Sequence, residues 1–309
     1  MITQAFVMGA GLGTRLRPLT DELPKPLMPI FQKPLITFAL DHLIANGVLR
    51  FVINTHHLAG HFQTLFAGGS YRGRPVLLVH EPDLLETGGG IKNAEPWLGA
   101  EPFIVYSGDI LTDLNVAALV EEHARRGNDV TLALRRTGLA SGILLENDRI
   151  VDIGRAGNFD YANVSVWNPS VFKKIPPAQK ISFIPILAEW IRARGNIGGL
   201  VLEEGSWFNI GARAEYLGVH RTICRTQWKP AYVTDEDWPR ARAENAIIES
   251  GARIEGCSVI GEECRVGEGA RLEDTIVWPG AQIASRSDLH GCIVRSRKRV
   301  EGTYRNADI

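Results

Sequence analysis

No run in the 309 residues reaches the ~18 apolar positions that a membrane-spanning helix needs, and no signal-peptide pattern opens the chain. An excess of one charge is also lacking. The 34 basic and 35 acidic residues leave a formal −1, which gives no global electrostatic reason to bind nucleic acid or a membrane surface. The basic cluster Arg295–Arg299 is read as a solvated tail. Cysteine is scarce: Cys224, Cys257, Cys264 and Cys292 lack C-x-x-C spacing and are expected as reduced, partly buried thiols of a cytoplasmic protein, neither a disulfide frame nor a zinc site. His57 and His61 stand at i,i+4, but no helical Glu or third ligand accompanies them, so zinc is not expected. What remains, 45% hydrophobic and 22% charged residues, suits a globular chain with room for one large domain and a small one.

Up to about residue 135, short β-rich runs alternate with amphipathic helices. Ala5–Met8, Phe51–Asn54, Val76–Val79, Phe103–Tyr106 and Val130–Leu134 are continuously apolar, as in strands buried on both faces. Between the first two, Ile36, Leu40, Leu43 and Ile44 form a helical stripe that Asn46-Gly47 terminates. Strand–helix–strand alternation predicts a mostly parallel sheet, with ligands beyond the carboxyl ends of its strands. From about 140 to 210 short strands surround one helix marked by Ile184, Leu187, Ala188 and Ile191, which reads as a lid lobe. Residues 227–245 are polar, aperiodic and carry two prolines, and read as a linker.

The last fifty residues repeat. Ile248, Ile254, Ile260, Val266 and Leu272 recur every six positions, Ile283 and Leu289 resume after one slip, and glycines stand near the corners. That period is the signature of a left-handed parallel β-helix of hexapeptides, with about eighteen residues per coil.

Chemistry-bearing residues gather after the first strand. Gly9-Ala10-Gly11-Leu12-Gly13-Thr14-Arg15-Leu16-Arg17 fails the dinucleotide fingerprint, because Leu16 stands where a third glycine belongs, and it lacks the Lys-Ser/Thr end of a P-loop. It does combine glycines, whose N–H groups can approach phosphate oxygens, with two arginines and then Pro24-Lys25-Pro26. The prolines stiffen the segment around Lys25.

These residues carry a resemblance. GAGLGTRLRPLT followed by PKPLMPI resembles the signature of the sugar-1-phosphate nucleotidyltransferases. Glu81 with Leu84–Gly90 resembles that family's base- and ribose-contacting loop, and Ser107-Gly108-Asp109 its metal-binding strand end. The hexapeptide tail is similar to that of mannose-1-phosphate guanylyltransferases, while ETGGGI and SGDILTD look closer to N-acetylmuramate-1-phosphate uridylyltransferases. The implied fold is α/β: a Rossmann-like, mostly parallel nucleotidyltransferase domain over 1–230 with a lid at 140–210, a linker at 231–245, a β-helix at 246–294 and a basic tail at 295–309. The implied substrates are an NTP (UTP or GTP) and a sugar 1-phosphate, with Mg²⁺ as cofactor; a homo-oligomer is expected because the ends of a β-helix expose open coils that another chain caps.

Carried over residue by residue, the resemblance makes Arg15 and Lys25 catalytic, neutralising charge on the phosphates. It assigns Gly9, Ala10, Gly11, Gly13, Thr14, Glu81, Thr87, Gly88 and Gly108 to the nucleotide, with Glu81 near the base edge. Gly142, Arg155 and Asn163 would face the sugar phosphate, and Asp109 and Asn209 the metal. The attacking sugar phosphate is already an anion, so the absence of a Ser-His-Asp-like constellation is no obstacle.

Two positions depart from the pattern. Trp207-Phe208-Asn209-Ile210-Gly211 has Asn209 where the family commonly places an aspartate, leaving Asp113 as a possible helper. The Glu-Lys-Pro element that usually grips the sugar phosphate is missing, and Arg155 is only a candidate substitute. They motivate an alternative reading, an impaired nucleotide-sugar-binding regulatory subunit. An acyltransferase working through the coils is a third, with His290 as the one poorly placed histidine.

Overall fold

The computed structural model describes residues 1–138, 142–154 and 157–309, which divide into two compact units. The first comprises Met1–Leu12 and Ile36–Trp207, and the second Gly13–Leu35 and Phe208–Ile309.

The first unit is built on a ten-stranded sheet. Its strands are β1 (Gln4–Met8), β2 (Arg50–Thr55), β3 (Ser70–Tyr71), β4 (Arg74–His80), β5 (Phe103–Ser107), β6 (Val130–Arg135), β7 (Ile143–Glu146), β8 (Arg149–Ile153), β9 (Asp160–Trp167) and β10 (Ile197–Val201). Their spatial order is β7-β8-β10-β6-β9-β5-β1-β2-β4-β3. Strands β5, β1, β2 and β4 are mutually parallel, in register Val7↔Ile53 and Val7↔Tyr106. The antiparallel β9 joins that set to the parallel pair β6 and β10. The continuously apolar runs are the interior strands, and Phe6, Val52, Phe103, Val105, Leu132 and Trp167 share one buried cluster. The longer helices of the unit are α1 (Leu35–Ala45), α2 (Ala59–Leu65), α3 (Glu86–Asn93), α4 (Val116–Arg126) and α5 (Phe183–Arg192). Gly47 stops α1 with φ +87°, the left-handed turn that its Asn-Gly pair predicts.

In the second unit, short parallel strands stack in three columns. Ile247–Ile248 pairs with Arg265–Val266, Gln282–Ile283 and Arg299–Val300, and Arg253–Glu255 with Arg271–Glu273, Asp288–His290 and Thr303–Arg305. Val259–Ile260, Ile276–Val277 and Ile293–Val294 form the third column. This is the hexapeptide β-helix, its core formed by Ile260, Val266, Leu272, Val277, Ile283, Leu289 and Val294. The slip in the repeat is a coil one residue shorter: Val266 pairs with Ile283, one position nearer than the partner of Ile248. The coils run on through Arg305, so residues 295–309 are β-helix where composition suggested a basic tail.

Helix α6 (Arg213–Thr226), which the sequence reading did not single out, organises this unit. Tyr216, His220 and Ile223, at i, i+4 and i+7, form its buried stripe. The Tyr216 hydroxyl donates to Pro29 O (2.6 Å) and accepts from Trp278 Nε1 (3.0 Å). Arg213 pairs with Asp308 at 2.6 Å and Arg221 with Asp274 at 3.3 Å. His220 accepts from Phe31 N–H at Nε2 (3.1 Å), which leaves Nδ1–H to donate to Tyr216 O (2.8 Å). The expectation of four reduced cysteines is corrected here. Cys224 on α6 and Cys257 at a coil corner form a disulfide, with Cα atoms 5.9 Å apart, while Cys264 and Cys292 are free and buried. The partners lie 33 residues apart, and only the docking of α6 on the coils brings them together. Residues 227–245 also pack more than a linker would: Val233, Trp238 and Ala243 are buried, and Trp238 Nε1 donates to Ile30 O at 3.1 Å.

Candidate active site

Two groups of residues carry the expected chemistry, one in each unit. In the first, Gly9 and Ala10 leave the carboxyl end of β1. The Gly9 N–H donates to Asn54 Oδ1 at 2.9 Å, and a Cβ on Gly9 would stand 2.7 Å from Asn54 O, so only glycine fits. Gly108, past the end of the neighbouring β5, donates to Met8 O at 2.9 Å, and a Cβ there would meet that oxygen at 2.7 Å. The half-buried Asp109 follows directly, as expected for a ligand beyond the carboxyl ends of a parallel sheet. Gly11 is exposed, with nothing within 4 Å of a Cβ position, so its backbone is open to a ligand.

Glu81, expected near the base edge, is turned into the interior. It is 0% exposed; Oε1 accepts from Asn54 Nδ2 at 2.7 Å and Oε2 from Leu85 N–H at 3.1 Å. Burial raises its pKa, opposed by those two hydrogen bonds and by His56 and His80 nearby. Thr87 and Gly88 are likewise turned inward. The Thr87 hydroxyl accepts from Phe183 N–H (3.1 Å), Gly88 donates to Ile181 O (2.8 Å), and a Gly88 Cβ would collide with the 181–183 backbone. The run ETGGG thus forms a helix, not an open loop, and its glycines let that helix press against its neighbours. Asp113 is committed as well: Oδ1 accepts from Ser206 N–H at 2.5 Å, which anchors the segment before Trp207. Gly142 (φ +51°) and Asn163 (φ +63°) both adopt left-handed backbone, the latter where β9 slips register between Tyr161 and Ser165. Arg155 lies outside the described residues.

In the second unit, Gly13 has φ +62°, and a Cβ would stand 2.7 Å from Thr20 Cγ2 and 3.3 Å from Lys25 Cβ. This tight turn starts the 3₁₀ helix Thr14–Leu16, whose Leu16 is buried while Thr14 and Arg15 are exposed. Lys25 is held against the turn and is only 8% exposed. Arg15 and Asn209 come together at Gly211: a Cβ there would lie 3.1 Å from Arg15 Nη2 and 3.2 Å from Asn209 Nδ2. Glu215 closes the group, accepting the N–H groups of Gly211 (2.5 Å) and Ala212 (2.8 Å) at the start of α6. Sequence reasoning missed Asn54 and Glu215. The signals were an Asn ending an apolar strand and a Glu three residues after a helix start.

Among the described residues, no three His, Cys, Asp or Glu side chains form a ready-made metal cage. Mg²⁺ needs less, since it is commonly held by one or two carboxylates together with substrate phosphates, and Asp109 fits that donor set.

A largely parallel α/β sheet with glycines at its strand ends is, by itself, a scaffold shared by many nucleotide-handling enzymes. Comparison with known proteins gives the family. The Nucleotidyl transferase family model matches residues 4–142, and the model described as GlmU-like, C-terminal hexapeptide matches 229–305. The chain is 33% identical to the N-acetylmuramate alpha-1-phosphate uridylyltransferase of Caulobacter vibrioides, across 67% of this chain and 91% of that one. It is 28% identical to the mannose-1-phosphate guanylyltransferase of Mycobacterium tuberculosis, across 94% and 82%. Among solved structures, the inositol-1-phosphate CTP transferase of T. maritima shares the fold, with TM-score 0.61 and 22% identity over 69% of this chain and 91% of that one. The chain belongs to the nucleotidyl transferase family, and the sugar-1-phosphate enzymes named here are its relatives.

Proposed function

We propose that the protein transfers a nucleoside monophosphate from UTP or GTP to a sugar 1-phosphate, forming an NDP-sugar and pyrophosphate. The observation that carries this reading is the continuous segment from Gly9 to Lys25, in which a glycine loop at a strand end runs into Arg15 and a buried Lys25. A sugar-phosphate oxygen attacks the α-phosphorus, the bond from that phosphorus to the β-phosphate bridge breaks, and pyrophosphate departs with the electron pair. The sugar phosphate is an anion at neutral pH, so no general base is required, and the work is alignment and charge neutralisation. Gly9, Ala10, Gly11, Gly13, Thr14 and Gly108 present backbone to the nucleotide, and Arg15 and Lys25 neutralise its phosphates. Gly142, Asn163 and Arg155 are proposed for the sugar phosphate. Asp109 would hold Mg²⁺, which when bound offsets the charge of the triphosphate, and Asn209 is kept as a candidate metal donor on the resemblance alone.

The guanylyl- and uridylyltransferase names of the relatives support the two bases and a sugar 1-phosphate acceptor. A cytoplasmic setting is proposed from such substrates alone, since the Cys224–Cys257 bond removes the argument from reduced thiols. Homo-oligomerisation is proposed because the outermost coil strands are paired on one side only, with Ile247 55% exposed. The test is pyrophosphate release from each of four NTPs against a panel of sugar 1-phosphates with Mg²⁺. Release with UTP or GTP and one sugar is expected, and release with none would reject the reading.

A further inference from the structure

Three neighbouring strand ends are tied together by one buried chain of hydrogen bonds. Gly9 follows β1, Asn54 is on β2 and Glu81 follows β4, and these strands are adjacent in the sheet. The Gly9 N–H can only donate, so Asn54 must turn Oδ1 toward it, as it does at 2.9 Å. Asn54 Nδ2 then necessarily faces position 81 and needs an acceptor, which Glu81 Oε1 supplies at 2.7 Å. Leu85 N–H, at the head of α3, also needs an acceptor and takes Glu81 Oε2 at 3.1 Å. Position 81 must therefore offer two acceptors and no donor, which a carboxylate does and an amide does not. Asn54 is 4% exposed and Glu81 fully buried, so bulk solvent does not compete for their bond. A Cβ on Gly90 of α3 would stand 2.8 Å from Asn54 Nδ2 and 2.9 Å from Glu81 Oε1, so α3 closes over the pair.

We propose that Glu81, acting through Asn54, is a positioning residue for nucleotidyl transfer: it fixes the Gly9 end of the glycine loop relative to the start of α3. The inference rests on the reading of that loop as the nucleotide's phosphate site. It replaces a base contact by Glu81 with an action through backbone placement.

The polarity of the chain supplies its own test. In Glu81→Gln one donor faces another, at Leu85 or at Asn54. Because an unsatisfied buried donor is expensive, kcat/KM for the NTP should fall by about 10- to 100-fold. The KM for sugar 1-phosphate should stay within about twofold, a split that general loosening of the fold would not give. Asn54→Asp should also fail, because two carboxylates then face each other. The double variant Asn54→Asp/Glu81→Gln restores every bond with the charge moved from one position to the other. The carboxylate now at position 54 accepts from Gly9 N–H and from the amide now at position 81, whose oxygen accepts from Leu85 N–H. Its kcat/KM should return to within about threefold of wild type.

A Glu81→Gln variant as active as wild type overturns the proposal. So does a double variant no better than the singles, or one that does not fold. If a single variant does not fold, the double decides alone. A wild type that releases no pyrophosphate removes the underlying reading of the loop; an active wild type with an unimpaired Glu81→Gln removes this proposal only.

Discussion

Gly211→Ala separates what holds the fold from what places Arg15. The added methyl would stand 2.9 Å from Glu215 Oε2, 3.1 Å from Arg15 Nη2 and 3.2 Å from Asn209 Nδ2, all ends of flexible side chains and none of them backbone. Gly211 is not among the positive-φ glycines, so alanine fits its backbone and removes some freedom from the unfolded chain, worth about 0.4–1 kcal/mol. A displaced Glu215 gives back a similar amount of helix capping. Global stability should therefore change by no more than about 1 kcal/mol, while the guanidinium and amide must each retreat by a few tenths of an ångström. If Arg15 donates to a phosphate oxygen in the transition state, losing that charge-assisted bond costs about 1.5–3 kcal/mol, or about 10- to 100-fold in kcat/KM. The assay is steady-state pyrophosphate release beside thermal unfolding of the same samples. Gly218→Ala, also on α6 but with nothing within 4 Å of its Cβ, is the control and should leave turnover unchanged. Turnover of Gly211→Ala within threefold of wild type, at unchanged stability, would refute the placement of Arg15.

Asn209→Asp should lower the Mg²⁺ concentration for half-maximal turnover, because a second anionic oxygen offsets more of the ion's dehydration; identical half-saturation and kcat would remove Asn209 from the metal site. Thiol titration of the denatured, unreduced protein should count two thiols, rising to four after reduction, and reduction should lower stability by about 3–4 kcal/mol for a loop of this length; four thiols without reductant would contradict the Cys224–Cys257 bond. Burial lowers both His42 and His220 from 6.5 to about 4, so between those pH values the unfolded chain takes up protons that the folded one refuses. Their contribution is fully present above about pH 6.5 and is lost as pH falls toward 4, by up to about 3 kcal/mol each; denaturant unfolding equally stable at pH 7.5 and 5 would contradict it.

The parallel strands and the coils were legible because each repeats one physical constraint, continuous apolar burial in the first case and an inward aliphatic every six residues in the second. The slip after Leu272 was visible as a broken period, and the structure identifies it as a coil one residue shorter. The glycine run of α3 was not legible. Three consecutive glycines each cost a helix about 1 kcal/mol relative to alanine, so local propensity argues for a loop. Contacts with 179–183, Asn54 and Glu81 override it, and they are visible only once the strands are paired. Glu81 shows the same limit, because a motif gives its position but not whether its carboxylate faces a ligand or the interior. The disulfide was hidden because helix α6, on which Cys224 sits, escaped the sequence reading.

The central claim, attack of a sugar phosphate on the α-phosphorus, is tested most directly by following label from the nucleotide in a single turnover. With UTP or GTP labelled at the α-phosphate and the productive sugar 1-phosphate, the account predicts that all α-label enters the NDP-sugar, while γ-label appears only in pyrophosphate. Transfer of γ-label to the sugar, or α-label left in the free nucleotide while the sugar phosphate is consumed, would contradict it.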